Sequence, residues 1–194
     1  AAMDIIGVML YPYYGENPRL FVVLLTKLLR LTLNHGTVAI SPFAFMMFGM
    51  ILNAMLGTLE KGYSYGQIGM KLLHKIGDKK HWAEISVCNN LGVRIWKEPI
   101  RKASEGLIED YKIALETGDI EFAVMSLSSC SNYLFFQGDH LKDIVLKAAQ
   151  YNRSLAHIPQ SEGRVIMDMQ LQAILNFQKK QSDSTRLKGE HFDE

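Results

Sequence analysis

Apolar side chains recur along this chain at helical spacing, and strictly alternating stretches are nearly absent. The first periodic stretch predicts a helix from Ala2 to about Tyr13. Tyr14-Gly15-Glu16-Asn17-Pro18 then breaks and restarts the chain. Asn17 has a capping side chain, and Pro18 suits a first helical position, where no amide partner is needed. A second helix sets Leu20, Leu24, Leu28 and Leu31 along one face and stops at His35-Gly36, where Gly36 fits a left-handed cap. Ser41-Pro42 repeats the cap-plus-proline start. The third helix, with Phe45, Phe48, Met50, Ile51, Met55 and Leu56, is apolar on most sides, so it is expected to lie between neighbours.

The fourth helix is expected from Leu59 to Ile76, closed by Gly77-Asp78, and the fifth from about Lys80 to Trp96. Pro99 forces a boundary, because Glu98 before it is biased away from helical geometry. The sixth puts Ile100, Ala103, Leu107, Tyr111 and Leu115 on one face and Arg101, Lys102, Glu105, Glu109 and Lys112 on the other. Gly118-Asp119 turns the chain into a seventh helix holding Phe122, Ala123, Leu127, Cys130 and Leu134. Gly138-Asp139 turns it into an eighth, with Leu141, Ile144, Val145, Ala148, Tyr151 and Leu155, which Pro159 breaks. The ninth carries Met167, Leu171, Ile174 and Leu175 and fades near Gln178. The reading is an all-α chain of about nine helices in antiparallel neighbours, with residues 1–178 as one helical-repeat domain. Residues 179–194, polar and without period, are expected to be a disordered tail or linker.

A repeat shows in the turns. Gly57-Thr58-Leu59-Glu60, Gly118-Asp119-Ile120-Glu121 and Gly138-Asp139-His140-Leu141 each close one helix and open another. Small residues follow Gly57 at Gly62 and Gly69, and follow Gly118 at Ala123 and Cys130, five and then seven positions apart in both cases. A large side chain at such a crossing would hold two helices beyond about 8–10 Å. Gly57, Gly62, Gly69, Trp96, Pro99, Gly118, Ala123 and Gly138 are therefore taken as the packing and turn positions.

The turn and the small residues after it resemble the helix-turn-helix unit of tetratricopeptide repeats. Longer strings carry a closer resemblance: Ser41-Pro42-Phe43-Ala44-Phe45 before Gly49, Gly62-Tyr63-Ser64-Tyr65-Gly66-Gln67-Ile68-Gly69-Met70-Lys71-Leu72-Leu73, Trp96-Lys97-Glu98-Pro99-Ile100, and Glu116-Thr117-Gly118-Asp119-Ile120-Glu121-Phe122-Ala123. Together they are similar to the tetratricopeptide-like helical region of very large multidomain bacterial signalling proteins. Those join a serine/threonine-kinase-like domain and a P-loop ATPase to the helical region, often with a GAF sensor and a histidine kinase after it. The resemblance implies stacked helix pairs in a right-handed superhelix, a cytoplasmic scaffold, and partners among domains of the same parent chain or other signalling proteins. It marks architecture and brings no catalytic residue with it.

Composition agrees with a folded chain: 48% apolar and 21% charged residues. The formal net charge of +1 implies neither nucleic acid nor an anionic membrane as partner. Leu31 to Leu59 carries no formal charge, but His35-Gly36, Ser41-Pro42 and Asn53 interrupt it, and a buried helix is expected there instead of a membrane span. No secretory signal is visible, and Ala1-Ala2-Met3-Asp4-Ile5-Ile6 reads like the middle of a helix, so a segment of a longer protein is expected. Its ends would then carry apolar faces that allow a homodimer.

Catalytic patterns are missing from the sequence. There is no Gly-x-x-x-x-Gly-Lys-[Ser/Thr] loop, no His-Arg-Asp and no Asp-Phe-Gly. Gly66-Gln67-Ile68-Gly69 sits inside a helical pattern, which suits packing and not a dinucleotide loop. His35, His74, His81, His140, His157 and His191 fall near helix ends or in the tail, without partners at metal-ligand spacing. Cys88 and Cys130 are expected as small buried side chains, and Ser128-Ser129-Cys130-Ser131 as close-packing residues. Glu98 and the pair Glu109-Asp110 are expected on solvated faces. Trp82, Trp96 and the ten methionines fit a core better than a ligand groove. The expectation is a scaffold with no catalytic residue, cofactor or metal of its own. A ligand- or peptide-sensing helical module is the alternative, and an all-α enzyme the third reading.

Overall fold

A computed structural model of the chain describes residues 2–156, 158, 162–179, 186–189 and 191–193, without the side chains of Tyr11, Glu162 and Lys179. The fold is all-α. The helices are α1 (Ala2–Glu16), α2 (Pro18–His35), α3 (Ser41–Leu56), α4 (Leu59–Ile76), α5 (Trp82–Gly92), α6 (Ile100–Thr117), α7 (Ile120–Phe136), α8 (Leu141–Ser154) and α9 (Glu162–Lys179), with a 3₁₀ turn at Arg94–Trp96. Among the described residues there is no strand, only one isolated bridge between Lys188 and Asp193.

The chain forms two compact units, residues 1–99 and 100–194. The division falls at Pro99. Proline has no amide hydrogen and disfavours helix in the residue before it, so no helix runs through this point. The chain on either side closes its own core: Leu10, Leu25, Leu28, Met46, Leu73, Ile85 and Val93 in the first unit, and Leu127, Leu155, Met167 and Ile144 in the second.

In the first unit, α1 runs past Tyr13 to Glu16 with Pro12 inside it. Asn17 then caps α2: its Oδ1 accepts the Leu20 amide at 3.1 Å. Replacing it with Ala leaves that amide to water, and Asn17→Ala is expected to cost about 1 kcal/mol in urea unfolding. Gly36 closes α2, but with φ 92° and ψ 173°, not with the left-handed turn expected. It sends the chain directly into 37–40, a path that residues with a Cβ rarely take. Ser41 is the first residue of α3 and not its cap. Its fully buried hydroxyl accepts the Val38 amide at 2.9 Å and lies 3.0 Å from the Thr32 hydroxyl, tying the start of α3 to the end of α2.

α3 and α4 make the tightest crossing. A Cβ on Gly49 would lie 2.6 Å from the Gly62 carbonyl, and one on Gly69 would lie 3.0 Å from the Pro42 carbonyl. The order reverses along the pair, 42 against 69 and 49 against 62, so the helices are antiparallel. Asn53, buried on α3, donates Nδ2 to the Gly92 carbonyl at 3.1 Å, while its Oδ1 fills the space over Gly62. α3 is buried from Ser41 to Met47. Its far end is open, with Met55 70% exposed.

In the second unit, α6 buries Ala103, Leu107, Asp110 and Ala114. That spacing puts Asp110, only 2% exposed, on the inner stripe, whereas a solvated face was expected for Glu109-Asp110. Only Glu109 is exposed. α7 lies antiparallel to α6: Arg101 reaches Asp139 at 3.6 Å, and the short Gly118 turn joins the helices at the other end. α9 adds Met167, Leu171 and Ile174 to the core.

Part of the stretch expected as a disordered tail packs on α9. Asn176 Nδ2 donates to the Arg186 carbonyl at 2.7 Å, and buried Gln172 accepts the His191 amide at 3.2 Å and donates to the Lys188 carbonyl at 3.4 Å. Residues 180–185, 190 and 194 of that stretch lie outside the described residues, as do His157 and Pro159.

Candidate functional site

The turn positions adopt the backbone that selects glycine: φ is 62° at Gly57, 75° at Gly118 and 78° at Gly138. The packing positions sit at the two crossings. Gly62 and Gly69 are covered by Asn53, Gly49, Pro42 and Met46 across the α3–α4 contact. Ala123 is fully buried, and Cys130 lies against α6, its Sγ–H donating to the Ser104 carbonyl at 3.6 Å. Gly66 lies inside α4, where a Cβ would overlap the Val93 side chain. Pro99 immediately precedes α6. Trp96, expected as a packing residue, ends the 3₁₀ turn 48% exposed. The fifth segment stops being α-helical after Gly92, which moves Trp96 off the helical register that predicted its burial.

Several groups of polar side chains stand out among the described residues. Between α4 and the 3₁₀ turn, Tyr63 donates to Glu98 at 2.8 Å, and Arg94 donates to Glu98 at 3.1 Å and to Asn90 at 2.8 Å. The hydrogen bond to Glu98, and then burial, raise the Tyr63 hydroxyl above its ordinary pKa, against the pull of Arg94. Lys97 pairs with Glu60 beside this group. Glu98 is thus the acceptor of a knot holding the chain just before Pro99.

At the start of α5, His81 Nδ1 lies 3.3 Å from Glu84 Oε2 and Nε2 lies 4.0 Å from Asp78 Oδ2. Asp78 belongs to the turn and Glu84 to the first helical turn, so the sequence signal was present as an acid–histidine–acid triplet at i−3 and i+3. His35 and His74 lie in the last turns of α2 and α4, as expected. His140 precedes α8. Among the described residues no three His, Cys, Asp or Glu side chains converge as metal ligands.

In the second unit Cys130 also lies 3.7 Å from the Tyr151 hydroxyl. Burial raises the thiol pKa and raises that of Tyr151. Burial pushes Tyr133 up to about 12. A nucleophilic thiolate needs the opposite shift; the thiol instead ties α7 to α6 through the Ser104 carbonyl and to α8 through the Tyr151 hydroxyl.

An open apolar groove of about 510 Å³ lies in the first unit. Tyr14 at the end of α1, Phe21 and Val22 of α2, and Met50, Ile51 and Met55 of α3 line it. Tyr14 and Phe21 meet edge to face at 5.3 Å and form one wall. The exposed end of α3 forms the other. Arg19 stands at its rim as the lining's one charged residue. The methionines expected in the core are thus divided: Met46 is fully buried, whereas Met47, Met50 and Met55 line this groove, Met47 itself buried. The groove was not legible in the sequence, because it depends on how α1, α2 and α3 are placed against one another.

No protein-family model matches the chain, and neither curated proteins nor solved structures give a significant match.

What these features can do chemically is bind by shape. The groove offers flexible, polarizable thioethers and aromatic edges, with a cation beside them. No helix among the described residues is long and apolar enough to cross a membrane.

Proposed function

We propose that this chain is a non-catalytic helical scaffold of a larger signal-transduction ATPase or kinase, and that it docks protein domains of the same parent chain or signalling partners. The observation that supports this reading best is the open, methionine-rich groove on a framework of closely crossed helices. Exposed apolar side chains grouped in a concave surface characterise binding faces. The sequence resemblance supplies the setting: the cytoplasm of a bacterium, between ATPase and kinase modules. In this reading the chain carries no catalytic residue, cofactor or metal, and its partner is neither nucleic acid nor membrane.

A second reading, a ligand- or peptide-sensing module regulating the attached enzyme, draws support from the groove volume of about 510 Å³, which falls within the range of small-molecule sites.

Binding of the separately produced flanking domains of the parent protein, followed by biolayer interferometry, tests the scaffold reading. At least one is expected to bind, while calorimetry with Mg²⁺ and ATP is expected to show no heat of binding. Micromolar ATP binding, or no binding by any flanking domain, would overturn the reading.

A further inference from the structure

The groove does not end at Met55 and Phe21. A second depression of about 530 Å³ runs along the outer side of α2, lined by Val22, Val23, Lys27, Arg30 and Asn34 among others. The two share Val22, so they adjoin. From Pro18 to Asn34 the helix rises roughly 25 Å. One end of this track is apolar and the other basic.

The charge pattern is one-sided. Between Asn17 and Leu59 the sequence contains Arg19, Lys27 and Arg30 and no Asp or Glu. All three cations are exposed. They follow one another at spacings of eight and three residues, which keeps them on one face of α2. The whole chain has a formal net charge of +1, so this strip is a local concentration of charge.

We infer that this face of the first unit docks an acidic amphipathic helix. Its apolar side would lie against Phe21, Met50, Ile51 and Met55, and its carboxylates would face Arg19, Lys27 and Arg30. This rests on the scaffold reading and names the chemistry of the partner. An apolar groove between helices that continues onto the basic, exposed face of α2 suits a helix laid along it, whose anchors recur at i, i+3, i+4 and i+7. An added strand is a poor occupant, because the unit offers helices and not a sheet edge. A bilayer presses on protruding apolar side chains, whereas these line a hollow. Nucleic acid affinity comes from many phosphate contacts, whereas thioether and aromatic side chains line the apolar end of this track. Methionine walls adapt to different apolar side chains, so the cations would set which helices are accepted, through charge complementarity.

The experiment uses the full chain and a fluorescent helical peptide with leucines at i, i+3, i+4 and i+7 and glutamates on its flanks. A second peptide replaces each glutamate with lysine. Anisotropy is expected to show the acidic peptide binding at least tenfold more tightly than the basic one. Binding should weaken as salt rises. It should fall at least tenfold in Met55→Glu and in the double variant Lys27→Glu, Arg30→Glu, whose exposed positions keep the fold intact by circular dichroism. Equal affinity for the two peptides, unchanged affinity in the variants, or no binding overturns the inference. So does binding only to anionic vesicles, or self-association of the chain that Met55→Glu abolishes without any peptide binding. If the peptides fail while flanking domains still bind, the inference falls and the scaffold reading stands. If both fail, both fall.

Discussion

Gly62→Val is expected to unfold the first unit, with a loss of at least about 3 kcal/mol in urea unfolding followed by circular dichroism. The position has no slack. A Cβ there would overlap Asn53 Oδ1 and lie 2.7 Å from the Gly49 carbonyl. One obstacle is a side chain already buried and bonded to Gly92, and the other is backbone. Relief therefore means separating α3 from α4 or expelling Asn53, which breaks the link from α3 to the end of α5. Two comparisons isolate the cause. Gly15→Ala, in α1 with nothing within 4 Å, is expected to stabilise by roughly 0.5–1 kcal/mol, because alanine favours helix where space allows. Gly62→Ala combined with Asn53→Ala is expected to cost less than the sum of the two, since the second removes the atom that the first strikes. A Gly62→Val protein as stable as the parent would remove the close-crossing argument for the first unit.

Leu127→Ala is expected to cost about 2–5 kcal/mol in the same measurement. Leu127 is 1% exposed on α7 and packs with Val124, Leu155, Ile158 and Met167. These residues come from α7, α9 and the turn after α8, so no single shift closes the cavity. Leu115→Ala, on the partly open side of α6, 37% exposed, is expected to cost well under half as much, because water already covers part of that side chain. Equal losses at the two positions would mean that the core of the second unit is not where these contacts put it.

Local signals were legible in the sequence wherever one residue decides the outcome. Asn17 caps α2 because its side chain reaches its own helix. Gly57, Gly118 and Gly138 take positive φ because few other residues do so without strain. Pro99 ends a helix by its covalent structure. The five-and-seven spacing after Gly57 and Gly118 was legible for the same reason: absence of bulk is a property of the residue itself. Asp110 was not, since its burial follows from register with Leu107 and Ala114 and overrides the usual place of a carboxylate. Trp96 was not, because the α-helix gives way to a 3₁₀ turn before it. The packing of Arg186, Lys188 and His191 was hidden because main-chain groups make it, and the polar side chains that receive them lie on another element. The groove depends on helix lengths and crossings together, which no local pattern records.

The seam of α4 has a bearing on how the first unit comes into being. Gly62, Gly66 and Gly69 each weaken an isolated helix by about 1 kcal/mol relative to alanine, so residues 59–76 on their own have little tendency to coil. What they lack in autonomy they recover from neighbours: Gly62 and Gly69 against Asn53, Gly49 and Pro42 of α3, and Gly66 against Val93 after α5. Helical order over residues 59–76 is therefore expected to follow from tertiary contact with α3 and Val93 more than from local propensity.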